Sequence, residues 1–244
     1  MNKELKIIES YYPPVNRGVI WYDKKINKLK KVVNHRWLGI NDSITPLPTM
    51  PGDDELVVVM FPYDYIEDVN GLTDYIKDGL SSPDIVESCQ VTYNDNWGYG
   101  AGTIVYKVTV KLKKGAGENL TINLSEAGFG DTIHVFLPSN KTVIKGDDLQ
   151  FNMLNAVVFL SKNTEQINNG SIWFQESNGD IVLVQENPPM IAANAIIASY
   201  YQSSFDVVSV YVPEEYKNIY KSATNWSSYK HIIPLTELTY YDNN

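Results

Sequence analysis

The side chains that could do chemistry are few and scattered. Three histidines, His35, His134 and His231, stand in unrelated contexts, and no pair of them has metal-ligand spacing. Cys89 is the lone cysteine, sits in a strand-like stretch without a neighbouring base, and reads as a small core residue. Gly98-x-Gly100-x-Gly102 lacks the dinucleotide spacing and precedes a strand, whereas a phosphate cradle needs a helix after it. It reads as a hairpin loop displaying Trp97 and Tyr99, exposed aromatics suited to a sugar or a protein surface. Asp53-Asp54-Glu55 and Asp147-Asp148 could offer oxygen ligands to Ca²⁺ or a carboxylate pair to a glycosidase. Acidic clusters at turns before strands are commonly solvated edges. The expectation is therefore no catalytic residue, no metal, no cofactor and no enzyme.

The elements that position these residues are strands. Hydrophobic residues make up 43% and charged residues 20%, which excludes wholesale disorder. The 17 Tyr and 5 Trp, with abundant Val, Ile and Thr, favour sheets over helices. One cysteine excludes an internal disulfide framework, so burial or self-association must supply stability. The start, Met1-Asn-Lys-Glu-Leu-Lys6, is charged, without an apolar core of secretory length. No apolar run approaches ~18 residues, so no membrane insertion is expected, and the chain reads as one made in a reducing cytoplasm. The net charge of −9 argues against nucleic-acid binding. Its distribution is uneven: residues 1–38 carry nine Lys/Arg against Glu4, Glu9 and Asp23, or +6, leaving −15 for the rest. Such asymmetry steers a basic end toward an acidic partner.

Along the chain, residues 1–15 read as an arm, extended at Tyr11-Tyr12-Pro13-Pro14. Val19–Tyr22 and Leu29–Val33 form a hairpin, His35–Leu38 a third short strand, and the prolines at 46, 48 and 51 a spacer. Leu56–Phe61 reads as a buried strand and Glu67–Gly79 as a short helix. Strands follow at Glu87–Tyr93, Thr103–Leu112, Asn119–Leu124 and Thr132–Leu137, at the spacing of a sandwich. Further strands are expected near Asp148–Leu160, Ser171–Gln175, Asp180–Gln185 and Asp206–Val212, with a helix over Pro213–Ala223. Gly170-Ser-Ile-Trp173 echoes Gly18-Val-Ile-Trp21, and Asn178-Gly179 suggests that this second copy is also a hairpin. Periodicity does not decide between helix and strand for Met190–Tyr201. The fold class is mainly β: an N-terminal hairpin, a central antiparallel β-sandwich-like region and a C-terminal αβ cap-like unit. The expected domains are 1–42, 52–139 and 140–244.

Two segments carry resemblances. Arg17-Gly18-Val19-Ile20-Trp21-Tyr22-Asp23, with Lys28-Leu29 and Trp37, resembles a hairpin recurring in phage fibre and decoration proteins. Val210-Tyr211-Val212-Pro213, Tyr216, Tyr220-Lys221-Ser222-Ala223, Asn225-Trp226, Tyr229 and Ile232-Ile233-Pro234-Leu235 resemble the terminal cap of BspA-type leucine-rich repeat proteins of Bacteroidetes. No regular leucine-rich array is legible before it, so the resemblance implies the cap alone, with Pro213, Tyr220 and Trp226 as its structural residues. Together they imply a tailed phage of such a host, of the crAss-like group. The expected role is a virion component, a head fibre, decoration or tail-associated protein, assembled in the host cytoplasm. It would dock on other virion proteins, capsid or tail, through Tyr11, Tyr12, Trp21 and Trp37. It would self-associate as a homodimer or homotrimer, and a host glycan or protein is a further candidate partner. The alternative is a surface adhesin or carbohydrate-binding module of a Bacteroidetes bacterium.

Overall fold

In the computed structural model the described residues are the strand backbones within 1–39, and residues 50–62, 66, 69–94, 105–125, 132–175, 179–198 and 203–238. The chain divides into two compact units, Met1–Leu47 and Pro48–Asn244.

The first unit is a four-stranded sheet of β1 (Ile7–Ser10), β2 (Ile20–Asp23), β3 (Lys28–Val33) and β4 (Arg36–Gly39). The hairpin is there, with Tyr22 opposite Leu29, and β4 returns antiparallel along β3. The arm is not wholly an arm: Ile7–Ser10 pairs in parallel with β2.

The second unit is mainly β. Its first half runs through β5 (Glu55–Phe61), α1 (Val69–Asp78), β6 (Val86–Asn94), β7 (Val105–Leu112), β8 (Ile122–Ser125) and β9 (Thr132–Phe136). β6, β7, β5 and β9 lie side by side, antiparallel at every junction. Leu56–Met60 is a continuous apolar run because both faces of β5 are covered. Tyr106, Val108 and Val110 point to the core while Lys107 and Thr109 stay partly wet. α1 contributes Leu72 and Ile76 to the same core.

From β9 onward the pairing becomes parallel. β10 (Val143–Ile144), β11 (Leu149–Asn152) and β12 (Asn155–Phe159) make one coil, and β13 (Gln166–Ile167), β14 (Ile172–Gln175) and β15 (Gly179–Val182) the next. β16 (Met190–Ile191), β17 (Ile196–Ile197), α2 (Ser204–Val207), β18 (Ser209–Val212), α3 (Lys217–Ser222) and β19 (His231–Pro234) complete the chain. Three ladders result: β10-β13-β16, then β8-β11-β14-β17, and β9-β12-β15-β18-β19, which continues the antiparallel strands into one eight-stranded sheet. Val143, Gln166 and Met190 share a rung, so the coil repeats about every 23 or 24 residues. All three ladders face one interior, with Ile144, Ile167 and Ile191 on one wall, Leu149, Ile172 and Ile196 on the next, and Val158, Ile181 and Val210 on the third.

Stacked parallel coils precede the C-terminal unit. One reading is corrected. The segment around Asn178-Gly179 is not a hairpin: β14 and β15 belong to different sheets, each with parallel partners one coil away. Gly179 is there for packing, since a Cβ would collide with the Phe174 ring. Left-handed backbone occurs instead at Asp147 and Gly170, the same corner of successive coils, where the Asp147 N–H donates to Gly170 O at 2.7 Å. The sheet and the core also run through residue 140, so 52–139 and 140–244 share one hydrophobic cluster.

Candidate functional site

The C-terminal unit, Ser209–Pro234, is the best-defined constellation. A chain of parallel coils ends in open backbone groups and an uncovered interior, both costly unless capped. After β18, Pro213 forfeits an N–H that the helix start would leave unpaired, and its carbonyl accepts the Tyr216 N–H at 2.9 Å. α3 then delivers Tyr220, and the following turn delivers Trp226, both fully buried, with rings edge to face at 5.6 Å. Their polar tips are spent on the last coil. The Tyr220 hydroxyl donates to Gln185 O at 3.0 Å, Trp226 Nε1 to Pro189 O at 2.8 Å, and Asn225 Nδ2 to Ile191 O at 2.6 Å. Tyr220, Asn225 and Trp226 thus each satisfy one carbonyl of the last coil, and the Tyr220 and Trp226 rings are part of its core.

Tyr229 completes this cluster, against Phe205 at 5.0 Å and Trp226 at 5.8 Å, but among the described residues its buried hydroxyl has no hydrogen-bond partner. Burial pushes that phenol's pKa up. An unpaired buried hydroxyl costs about 1–3 kcal/mol. Tyr229→Phe is therefore expected to raise the thermal midpoint, as read by calorimetry; a clear drop would mean that the hydroxyl is satisfied.

The acidic clusters are built into the framework. Asp54, at φ 55°, accepts the N–H groups of Gly115 and Gly117, each at 2.8 Å, and Asn140 Nδ2 at 2.8 Å. Burial alone would raise its pKa, but these hydrogen bonds and the nearby Lys114 hold it below the usual value. Asp148 meets the buried Lys141 ammonium at 2.7 Å and also accepts the Lys145 N–H at 2.7 Å. Among the described residues no group of three His, Cys, Asp or Glu is placed to hold a metal. His134 lies buried at 4.7 Å from the Phe61 ring and 5.9 Å from Phe159, and burial pulls its pKa down to about 3.

Asp180 was not singled out by sequence reasoning, because an acid in an alternating strand looks solvent-facing. Its neighbours across the sheet are Val157 and Ser209. Burial raises its pKa to about 6, against hydrogen bonds from the Ser209 side chain and backbone. The unfolded carboxyl titrates near ~3.9. Below that value the group is neutral in both states; as pH rises through about 6 the folded state must hold a charge it disfavours, and stability falls. Asp180→Asn is expected to gain in thermal midpoint over the parent at pH 8 and to gain nothing at pH 4.

An open groove of about 840 Å³ runs beside the β10-β13-β16 ladder, with Glu118, Lys162, Glu165 and Glu186 among its lining. Asn140 and Asn163 also face it, but their amides are engaged, Asn163 Nδ2 donating to Ser139 O at 3.0 Å. Asp53 and Ser139 line it as well, and the Ser139 hydroxyl donates to the Asp53 carboxylate, so the groove offers hydrogen bonding and charge.

Of the expected docking residues, Trp21 lies on β2 opposite Lys30, and Trp37 on β4 opposite Val32. Tyr11, Tyr12, Trp97 and Tyr99 lie outside the described residues. No helix among the described residues is long and apolar enough to cross a membrane. No family model matches the chain, and neither a curated protein nor a solved structure matches it.

Proposed function

We propose that this chain is a structural component of a tailed-phage virion, a head fibre or decoration protein or a tail-associated one. It docks by its N-terminal unit on other virion proteins, exposes the β-rich body, and self-associates. The observation that carries this reading is the division of the chain: Met1–Leu47 is a compact unit with its own sheet, and it holds the +6 segment of an otherwise acidic protein. A small basic unit that precedes a larger acidic one in the chain suits attachment through the first, with charge speeding the encounter. The likeness of its hairpin to phage fibre proteins supports the setting.

Removal of residues 1–47 tests it. The remaining body is expected to unfold at the parental temperature yet be missing from purified particles, while residues 1–47 fused to an unrelated protein enter them. Normal incorporation of the truncated chain would overturn the proposal.

The surface adhesin or carbohydrate-binding module is the second reading, favoured by the capped coil with its open polar groove. Saturable glycan binding by the purified chain, lost in Glu186→Ala, would put it first.

A further inference from the structure

The eight-stranded sheet has two edges, and they are finished differently. At the cap end the edge strand is β19, four residues long and ending in Pro234, which has no N–H to offer. Its first residue, His231, has its Nε2 3.1 Å from Asp206 O, and the neighbouring Lys230 pairs with the Asp206 carboxylate at 2.8 Å. A short strand with a proline and charges beside it is how sheets discourage pairing with another chain.

The opposite edge is β6, Val86–Asn94, nine residues long and the longest strand among those described. One side of it pairs with β7. In an antiparallel ladder alternate residues aim their N–H and C=O groups away from the partner, so β6 carries a row of these along its outer side. No described strand takes them. The sequence Val-Glu-Ser-Cys-Gln-Val-Thr-Tyr-Asn contains no proline and no lysine, and its one charge is Glu87. The single irregularity falls between Val86 and Ser88, leaving the register regular from Ser88 onward. Cys89 and Val91 pack against the main core yet remain half-buried at the margin of the sheet, while Ser88, Gln90 and Thr92 are exposed on the other face.

We propose that two copies of this chain associate through β6, antiparallel and edge to edge, so that two eight-stranded sheets become one continuous sheet. A strand pairs with itself about a two-fold axis without any second sequence having to fit, which makes the same chain the natural occupant. Centred on Gln90, the register sets Ser88 opposite Thr92, Cys89 opposite Val91, and Glu87 opposite Tyr93. No like charges meet. On the inner face the two Cys89–Val91 pairs form one apolar strip over the margin of both cores. Backbone hydrogen bonds supply the attraction, and the strip excludes water from them. No disulfide is needed. Burial pushes the Cys89 thiol up and away from its reactive thiolate, although Lys77 opposes this. The proposal names the surface for the self-association in the function proposed above. It is read on the purified full-length chain, so its failure leaves incorporation into particles untouched.

The test is sedimentation of the full chain in reducing buffer at tens of micromolar. The parent is expected to be a dimer, as is Cys89→Ser. Gln90→Lys and Gln90→Glu, each placing like charges at the two-fold, are expected to sediment as monomers with an association constant at least tenfold lower. An equimolar mixture of the two returns to dimer. Thermal midpoints show that each variant is folded. If either Gln90 variant fails to fold, Ser88→Lys with Thr92→Lys is expected to be monomeric and Ser88→Lys with Thr92→Glu dimeric. A monomeric parent, a Gln90→Lys chain that associates like the parent, a mixture that stays monomeric, or a Cys89→Ser chain that dissociates would overturn the proposal.

Discussion

Trp226→Ala is expected to remove most of the cap's contribution to stability. The indole is fully buried, stacked edge to face on Tyr220, and holds Pro189 O through its Nε1 at 2.8 Å. Truncating a buried Trp costs about 3–5 kcal/mol, from lost burial and the cavity left behind. In a body of this size that lowers the thermal midpoint by roughly 10 °C. The damage should also be local. The Pro189 carbonyl loses its donor, and the last coil, whose Gln185 and Ile191 carbonyls depend on the same unit, opens first. Protease cleavage after Met190 at temperatures where the parent resists would show this. Trp226→Phe separates the two contributions, because it keeps a ring but abandons the carbonyl, and should cost about 1–3 kcal/mol. An alanine variant with the parental midpoint and protease resistance would mean that the C-terminal unit is not a cap.

Asp148→Ala is expected to be as damaging for a different reason. Lys141 is fully buried, and its ammonium is held by Asp148 at 2.7 Å and Glu118 O at 3.2 Å. Burial lowers the Lys141 pKa, and the hydrogen bond and charge of Asp148 pull it back up. Removing one partner of a buried pair strands the other charge and typically costs about 3–5 kcal/mol. The pair itself need not be stabilising overall. The next coil places Thr164 and Ser171 at the equivalent positions, both buried, with the Ser171 hydroxyl donating to Ile144 O at 2.9 Å. The same corner of the coil therefore accepts uncharged groups. Lys141→Met with Asp148→Asn, which keeps an acceptor for the Lys145 N–H, is expected to recover most of the loss. Chemical unfolding of the parent, Asp148→Ala and the double variant measures this. A double variant no better than Asp148→Ala would show that the ion pair carries net stability.

The strands were legible because burial leaves a period of two, and their edges because Gly, Pro and Asn interrupt it. β5, β6, β7 and β9 fall within a residue or two of their expected places, and α1 ends at Asp78, one residue short of Gly79. The partners of those strands were not legible. A run such as Ile172–Gln175 says that alternate residues are buried, not whether the covering strand is the next one along or one coil away. A signal existed: Ile144, Ile167 and Ile191 precede Leu149, Ile172 and Ile196 at a constant interval, with Asp147 and Gly170 at the shared left-handed corner. It is blurred because inward positions change character from Lys141 with Asp148 to Thr164 with Ser171. A longer connection between β15 and β18, carrying α2, also breaks the interval.

By itself, the sequence determined that the chain is mainly β and that its charge is divided between a basic start and an acidic remainder. These are local or additive properties, set by propensity, charge count and short spacing. Tertiary structure alone decided that antiparallel strands and parallel coils merge into one sheet, that Asp54 and Asp148 are absorbed into the framework, and that β6 is left at an edge. Each depends on which backbone lies beside which, across separations of 23 residues and more, and no local preference encodes that choice.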